Sequence, residues 1–210
     1  MMIMIAMVLA YLLGAIPSAY IVGKIYRGVD IRQFGSGNVG ATNVFRVLGK
    51  GPGIVVLVCD ILKGTLAVAL LADILGVTGI WQRIVLAFCA IIGHNWTVFL
   101  NFKGGKGVAT SLGVLIGFTI KFAAFRPVVI FTLLVFILSL LFTGLVSFSS
   151  ILAAVFLPVI MVITEQPFEL ICLGAVFCVF VVLRHRPNIK RLLAGQEPRI
   201  KTPFVKKSGT

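Results

Sequence analysis

Residues Gly53–Leu75 read GIVVLVCDILKGTLAVALLADIL, and how they are read decides the fold. Just upstream, Phe34–Arg46 (FGSGNVGATNVFR) sets Gly35, Gly37 and Gly40 in the spacing G-x-G-x-x-G. Asp60 follows the last of these by about twenty residues, where a dinucleotide-binding fold keeps its ribose-binding acid. That fold alternates short strands, turns and helices. The 53–75 run continues far beyond strand length, and the segment before the glycines, 3–22, is a second apolar run of similar length. Neither is the strand of a βαβ unit. What remains of the glycine pattern is its physics: glycine permits positive φ and close approach, so successive backbone N–H groups can cup an anion.

Composition points the same way. Of 210 residues, 60% are hydrophobic and 12% charged, with a mean hydropathy of +1.13. These values exclude a water-soluble globular domain and predict an all-α membrane protein. Seven runs are candidates to cross the hydrocarbon: 3–22, 53–75, 84–100, 108–122, 127–143, 148–163 and 168–183, of which the fourth and sixth are short. The opening MMIMIAMVLAYLL lacks the positive start of a cleaved signal peptide and reads as the first membrane helix. Cys59, Cys89, Cys172 and Cys178 lie inside apolar runs without ligand-type spacing. One membrane domain over 1–198 and a basic tail over 199–210 are expected.

The net charge is +13. With the amino terminus outside and the carboxyl terminus in the cytoplasm, only Arg83, Lys121 and Arg126 fall on outer segments and Lys63 within a span; all other Lys and Arg are inside. This topology gathers GSGNVGATNVFR, NFKGGKG, SFSS and RHRPN on the cytoplasmic side. Attraction to anionic membrane lipids accounts for the tail from Arg199 to Lys207, but not for the glycines. No nucleic-acid partner is expected.

Several constellations carry chemistry. ATNVFRVLGK can form a short interfacial helix with Asn43, Arg46 and Lys50 on one face and Val44, Val47 and Leu48 on another. Arg46 then offers a planar fork suited to phosphate, and Ser36 a hydroxyl. In NFKGGKGVATS, Gly104, Gly105 and Gly107 surround Lys106 at the entry to a helix, a ready anion site that does not satisfy the Walker A pattern. Ser147, Ser149 and Ser150 open the sixth span, where serines are commonly caps. His185 ends the last span, with Pro187 suited to the first turn of a new helix and Asn188 three residues beyond the histidine. Asp60 and Lys63 stand three apart and read as an ion pair within the membrane. The six acids form no cluster of the kind that holds Mg²⁺, so no metal and no cofactor is expected.

Together, GSGNVGATNVFR, HNWTVFLNFKGGKGVAT and RHRPNIKRLL in this order resemble the bacterial acyl-phosphate:glycerol-3-phosphate acyltransferase family, over essentially the whole chain. The resemblance implies a multi-pass enzyme of the bacterial plasma (inner) membrane with its active site facing the cytoplasm. It implies transfer of an acyl group from acyl phosphate to the 1-hydroxyl of glycerol 3-phosphate. By motif, it gives catalytic roles to Ser36, Arg46, Lys106, Ser150, His185 and Asn188. Gly35, Gly37, Asn38, Gly40, Thr42, Asn43, Gly104, Gly105, Gly107 and Ser147 would bind substrate phosphate, with Ser147 and Ser149 as alternatives to Ser150. A transporter for a phosphorylated small molecule is the other reading; it would need a polar path to the outer face. Oligomeric state is left open.

Overall fold

The structure is a computed structural model and describes residues 1–205; Lys206 and Lys207 of the expected tail lie outside the described residues. Among the described residues all regular structure is helical. The chain forms two compact units, one from Met1 to Lys121 and one beginning at Phe122.

In the first unit, α1 (Met2–Ala15) and α2 (Ser18–Arg27) occupy the first expected span, which is therefore broken rather than continuous. Pro17 explains the break: it lacks an N–H and forces Ile16 out of the helical region, to φ −52 and ψ 116. The freed carbonyls are not left bare. Thr97 Oγ1 donates to the Ala15 carbonyl at 2.5 Å and Lys63 Nζ to the Ile16 carbonyl at 3.0 Å.

After α3 (Ala41–Leu48), α4 (Lys50–Leu66) runs into a π-helical stretch, Ala67–Leu71, and then α5 (Ala72–Ile74). The buried Arg83 guanidinium donates to the Val68 carbonyl within that stretch and pairs with Asp73, so the π-turn has a partner for a displaced carbonyl. The unit continues through α6 (Ile80–Asn95) to α7 (Val108–Lys121). α4 and α7 cross closely because Gly113 carries no side chain; a Cβ there would lie 1.9 Å from the Ile61 carbonyl oxygen.

The second unit holds α8 (Arg126–Thr143), α9 (Val146–Ile163), α10 (Phe168–Arg184) and α11 (Arg186–Leu193). α10 and α11 bend by 63° at His185, and Pro187 opens α11 as its position predicted. The described part of the tail folds back: Ile200 N–H donates to the Gly144 carbonyl at 2.8 Å, and Phe204 stacks on Phe142.

Every expected apolar run is largely helical, with breaks at Ile16–Pro17 and after Asn95. Among the described residues five helices are long and apolar enough to cross a membrane, the bent α10–α11 pair passes the same test only when taken as one span, and α7 is shorter, with 14 residues. The helix spanning Ala123–Thr143 has a mean hydropathy of 2.5, yet only 17% of it is buried by protein. Side chains so apolar and so exposed require hydrocarbon as solvent.

Candidate active site

The first unit's polar site begins at Asp30. Its carboxylate accepts from the Arg32 backbone N–H at 3.0 Å and from the Arg32 guanidinium at 2.7 Å. The hydrogen bond from that side chain holds the Asp30 carboxyl well below its usual range, at about 2. Arg32 also lies over the Tyr20 ring, 5.3 Å from its centroid.

The chain then turns through Gly35 at φ 61, with Gly37 N–H donating to the Phe34 carbonyl at 3.0 Å. Asn43, on the first turn of α3, staples this turn from beneath. Its Oδ1 accepts from Ser36 N–H at 2.9 Å, and its Nδ2 donates to the carbonyls of Phe34 and Ile31 at 3.0 and 3.3 Å. A Cβ on Gly35 would sit 2.4 Å from Asn43 Oδ1, so only glycine closes the turn. Asn43 is thus buried under the loop, while Arg46 on the same short helix is exposed.

The second glycine loop is pinned to the end of α6. Gly104 N–H donates to the Asn95 carbonyl at 3.1 Å and Gly105 N–H to the His94 carbonyl at 3.0 Å. Gly105 lies against the His94 ring so closely that a Cβ would be 2.3 Å from Nε2. The two loops together border a cleft of about 330 Å³ lined by Arg32, Ser36, Gly37, Asn38, Val39, Lys103 and Gly104.

Of the residues picked from sequence, Ser36, Gly37, Asn38 and Gly104 therefore share one cleft. Gly35 and Asn43 build its wall from behind, Gly40 precedes the first residue of α3, and Thr42 is exposed. Arg46, Lys106, Gly105 and Gly107 do not line the cleft. Arg32 and Lys103 do, and the motif reading passed over both. Two cations flanking glycine turns were the available signal.

In the second unit, Ser147, Ser149 and Ser150 are buried at the start of α9. Ser149 and Ser150 donate to the carbonyls four residues back, Leu145 and Val146, at 3.0 and 2.8 Å. His185 is buried with Nδ1 2.7 Å from the Val181 carbonyl. A carbonyl partner requires the proton on Nδ1, so the neutral ring carries its lone pair on Nε2.

Asn188 donates to Glu197 Oε1 at 2.6 Å, and Arg191 donates to Oε2 at 2.7 Å. Burial raises the Glu197 pKa, but the hydrogen bonds from Asn188 and Arg191 help to outweigh burial and hold it below its usual 4.5. Glu197 was not among the expected site residues. It reaches Asn188 only because Gly195, at φ 67, turns the chain back after α11.

In this polytopic membrane protein two glycine loops and two cations, Arg32 and Lys103, border an open polar cleft, an arrangement suited to an anion. Residues 4–195 match the model of the glycerol-3-phosphate acyltransferase family. A glycerol-3-phosphate acyltransferase of Synechococcus sp. (strain JA-2-3B'a(2-13)) is 49% identical over 197 residues, covering 94% of each chain. Glycerol-3-phosphate acyltransferase 2 of Moorella thermoacetica is 46% identical over 198 residues, covering 94% of this chain and 97% of its own. Crystal structures of PlsY, an integral membrane glycerol 3-phosphate acyltransferase, match at 36% identity over 95% of this chain and 96% of theirs. The TM-score is 0.85 for the glycerol 3-phosphate form and 0.83 for the lysophosphatidic acid form. This chain belongs to the glycerol-3-phosphate acyltransferase family, whose members serve membrane phospholipid synthesis.

Proposed function

We propose that the protein transfers a fatty acyl group from acyl phosphate to the 1-hydroxyl of glycerol 3-phosphate, forming lysophosphatidic acid and inorganic phosphate without a metal. The observation that carries this is the cleft shared by Ser36, Gly37, Asn38 and Gly104 with Arg32 and Lys103. Arg32, Ser36 and Lys103 are exposed, so the cleft is open to water and suits the soluble, phosphate-bearing acceptor. The acyl chain of the donor finds its solvent among the apolar helices.

Acyl phosphate is an activated mixed anhydride, so the protein has chiefly to position reactants and stabilise developing charge. In the proposed step the glycerol oxygen forms a bond to the carbonyl carbon, and the bond from that carbon to the phosphate oxygen breaks. The hydroxyl proton passes to the departing or substrate phosphate, or to His185 Nε2. Arg46 and Lys106 supply positive charge for phosphate, and Ser150 and Asn188 supply polar contacts. Gly35, Gly40, Thr42, Gly105, Gly107 and Ser147 shape or support these contacts. The positive-inside distribution supports a site on the cytoplasmic face of a bacterial plasma membrane, with the amino terminus outside.

The test is direct. Purified protein is given glycerol 3-phosphate with acyl phosphate, acyl-CoA or acyl carrier protein as donor, with and without EDTA. Lysophosphatidic acid from acyl phosphate alone, unchanged by EDTA, is the expected result. Product from another donor only, or loss of product with EDTA, refutes the proposal.

A further inference from the structure

Beneath the second glycine loop lies a charged cluster that the chemistry above does not use. Asp60 and Lys63 of α4 form an ion pair at 2.8 Å, and both are almost fully buried. His94 of α6, also buried, turns Nδ1 toward the same Asp60 oxygen at 3.7 Å. Lys63 spends a second donor on the Ile16 carbonyl, at the break between α1 and α2. The far edge of the His94 ring meets Gly105, and the His94 carbonyl accepts from Gly105 N–H. A cavity of about 10 Å³, the room of roughly one water, is bordered by Ser18, Lys63, His94, Thr97 and Gly105.

Taking two charges out of water is costly, and hydrophobic residues of similar volume often serve stability as well or better. A cluster retained here therefore calls for a role beyond holding helices together. Asp60 faces one edge of the His94 ring at 3.7 Å, and Gly105 packs against the opposite edge. Gly104, one residue before, lines the cleft, and Lys106 is one residue beyond.

We propose that Asp60, Lys63 and His94 are positioning residues for glycerol 3-phosphate: Asp60 orients His94, and His94 holds the Gly104–Gly107 loop at the height at which it binds the acceptor's phosphate. The inference rests on the reading of the cleft as the acceptor's site. The cluster touches no substrate and acts through the loop.

The test separates loop geometry from stability. Calorimetric Kd for glycerol 3-phosphate, melting temperature and kcat at saturating acceptor are measured for the full chain and its variants. Asp60→Asn, which strands Lys63, is expected to lower the melting temperature and weaken binding about tenfold. Asp60→Asn with Lys63→Met removes both charges; the melting temperature recovers while binding stays about tenfold weak, because His94 is still released. His94→Asn keeps a group toward Asp60 but withdraws the edge beneath Gly105, and gives the same weakening, with kcat within about twofold.

Recovery of wild-type affinity in the double variant, or unchanged affinity in His94→Asn, overturns the proposal. His94→Asn decides alone if the double variant does not fold. Lys103→Ala tests the cleft itself. If it weakens binding and the cluster variants do not, only this inference fails. If none of them matters, the cleft reading fails too. If the cluster variants weaken binding and Lys103→Ala does not, the positioning role stands and the acceptor lies elsewhere on the loop.

Discussion

The polar site of the first unit is made of main chain fitted around two side chains, Asn43 under one loop and His94 under the other. That of the second unit is made of side chains, with Asn188 and Arg191 gathered on the carboxylate of Glu197 and His185 oriented by a carbonyl. Where main chain is fitted around buried side chains, the site fails when its shape changes, whatever groups such as Arg32 and Lys103 also line it. A side-chain site keeps its shape under conservative change and fails when one group is lost. Substitutions in the two units should therefore fail in different kinetic parameters.

The largest effect is expected at His185. If His185 Nε2 is the proton acceptor in the proposed step, His185→Ala should lower kcat about 10³-fold with KM for glycerol 3-phosphate nearly unchanged. A KM effect of comparable size would erase the contrast between the units. Gly105→Ala should do the opposite. The added Cβ collides with the His94 ring, the loop moves, and KM for glycerol 3-phosphate rises about 100-fold while kcat at saturation changes little.

Asn43→Ala should be felt as stability. It leaves Ser36 N–H and the Phe34 and Ile31 carbonyls without their staple, so thermal unfolding should show a loss of about 1–3 kcal/mol.

The smallest effect is in the second unit at low pH. The Glu197 pKa is below 4.5 in the folded protein, so its contribution is complete above 4.5 and is lost as pH falls through the folded value. Wild-type melting temperature should fall with acidification below about 4.5, and Glu197→Gln should flatten that fall. Parallel curves for the two proteins would show that Glu197 is not the group being titrated.

Hydropathy made the helices legible because each apolar run is long and local. The Asp60–Lys63 pair, the start of α11 at Pro187 and the short helix carrying Arg46 were legible for the same reason: each depends on residues within one turn of one another. The break at Pro17 was masked by the apolar residues on either side of it. Asn43 was expected on one helix face with Arg46 and Lys50. It points inward because residues 31–36 fold back over the first turn of α3, a contact that helical spacing does not describe. Arg32, Lys103 and Glu197 escaped for a related reason. Arg32 and Lys103 are neighbours of the glycine motifs in sequence but face each other only across a cleft between two loops, and Glu197 meets Asn188 only through the reversal at Gly195.

The central claim, acyl transfer from a phosphate donor, is tested most directly by following one oxygen atom. Acyl phosphate labelled with ¹⁸O in the bridge between carbonyl carbon and phosphorus would be incubated with the protein and glycerol 3-phosphate in EDTA, and both products analysed by mass spectrometry. The account predicts one ¹⁸O in the released inorganic phosphate for each lysophosphatidic acid formed, and none in the new ester linkage. Label retained in the ester, or no lysophosphatidic acid from acyl phosphate, would contradict it.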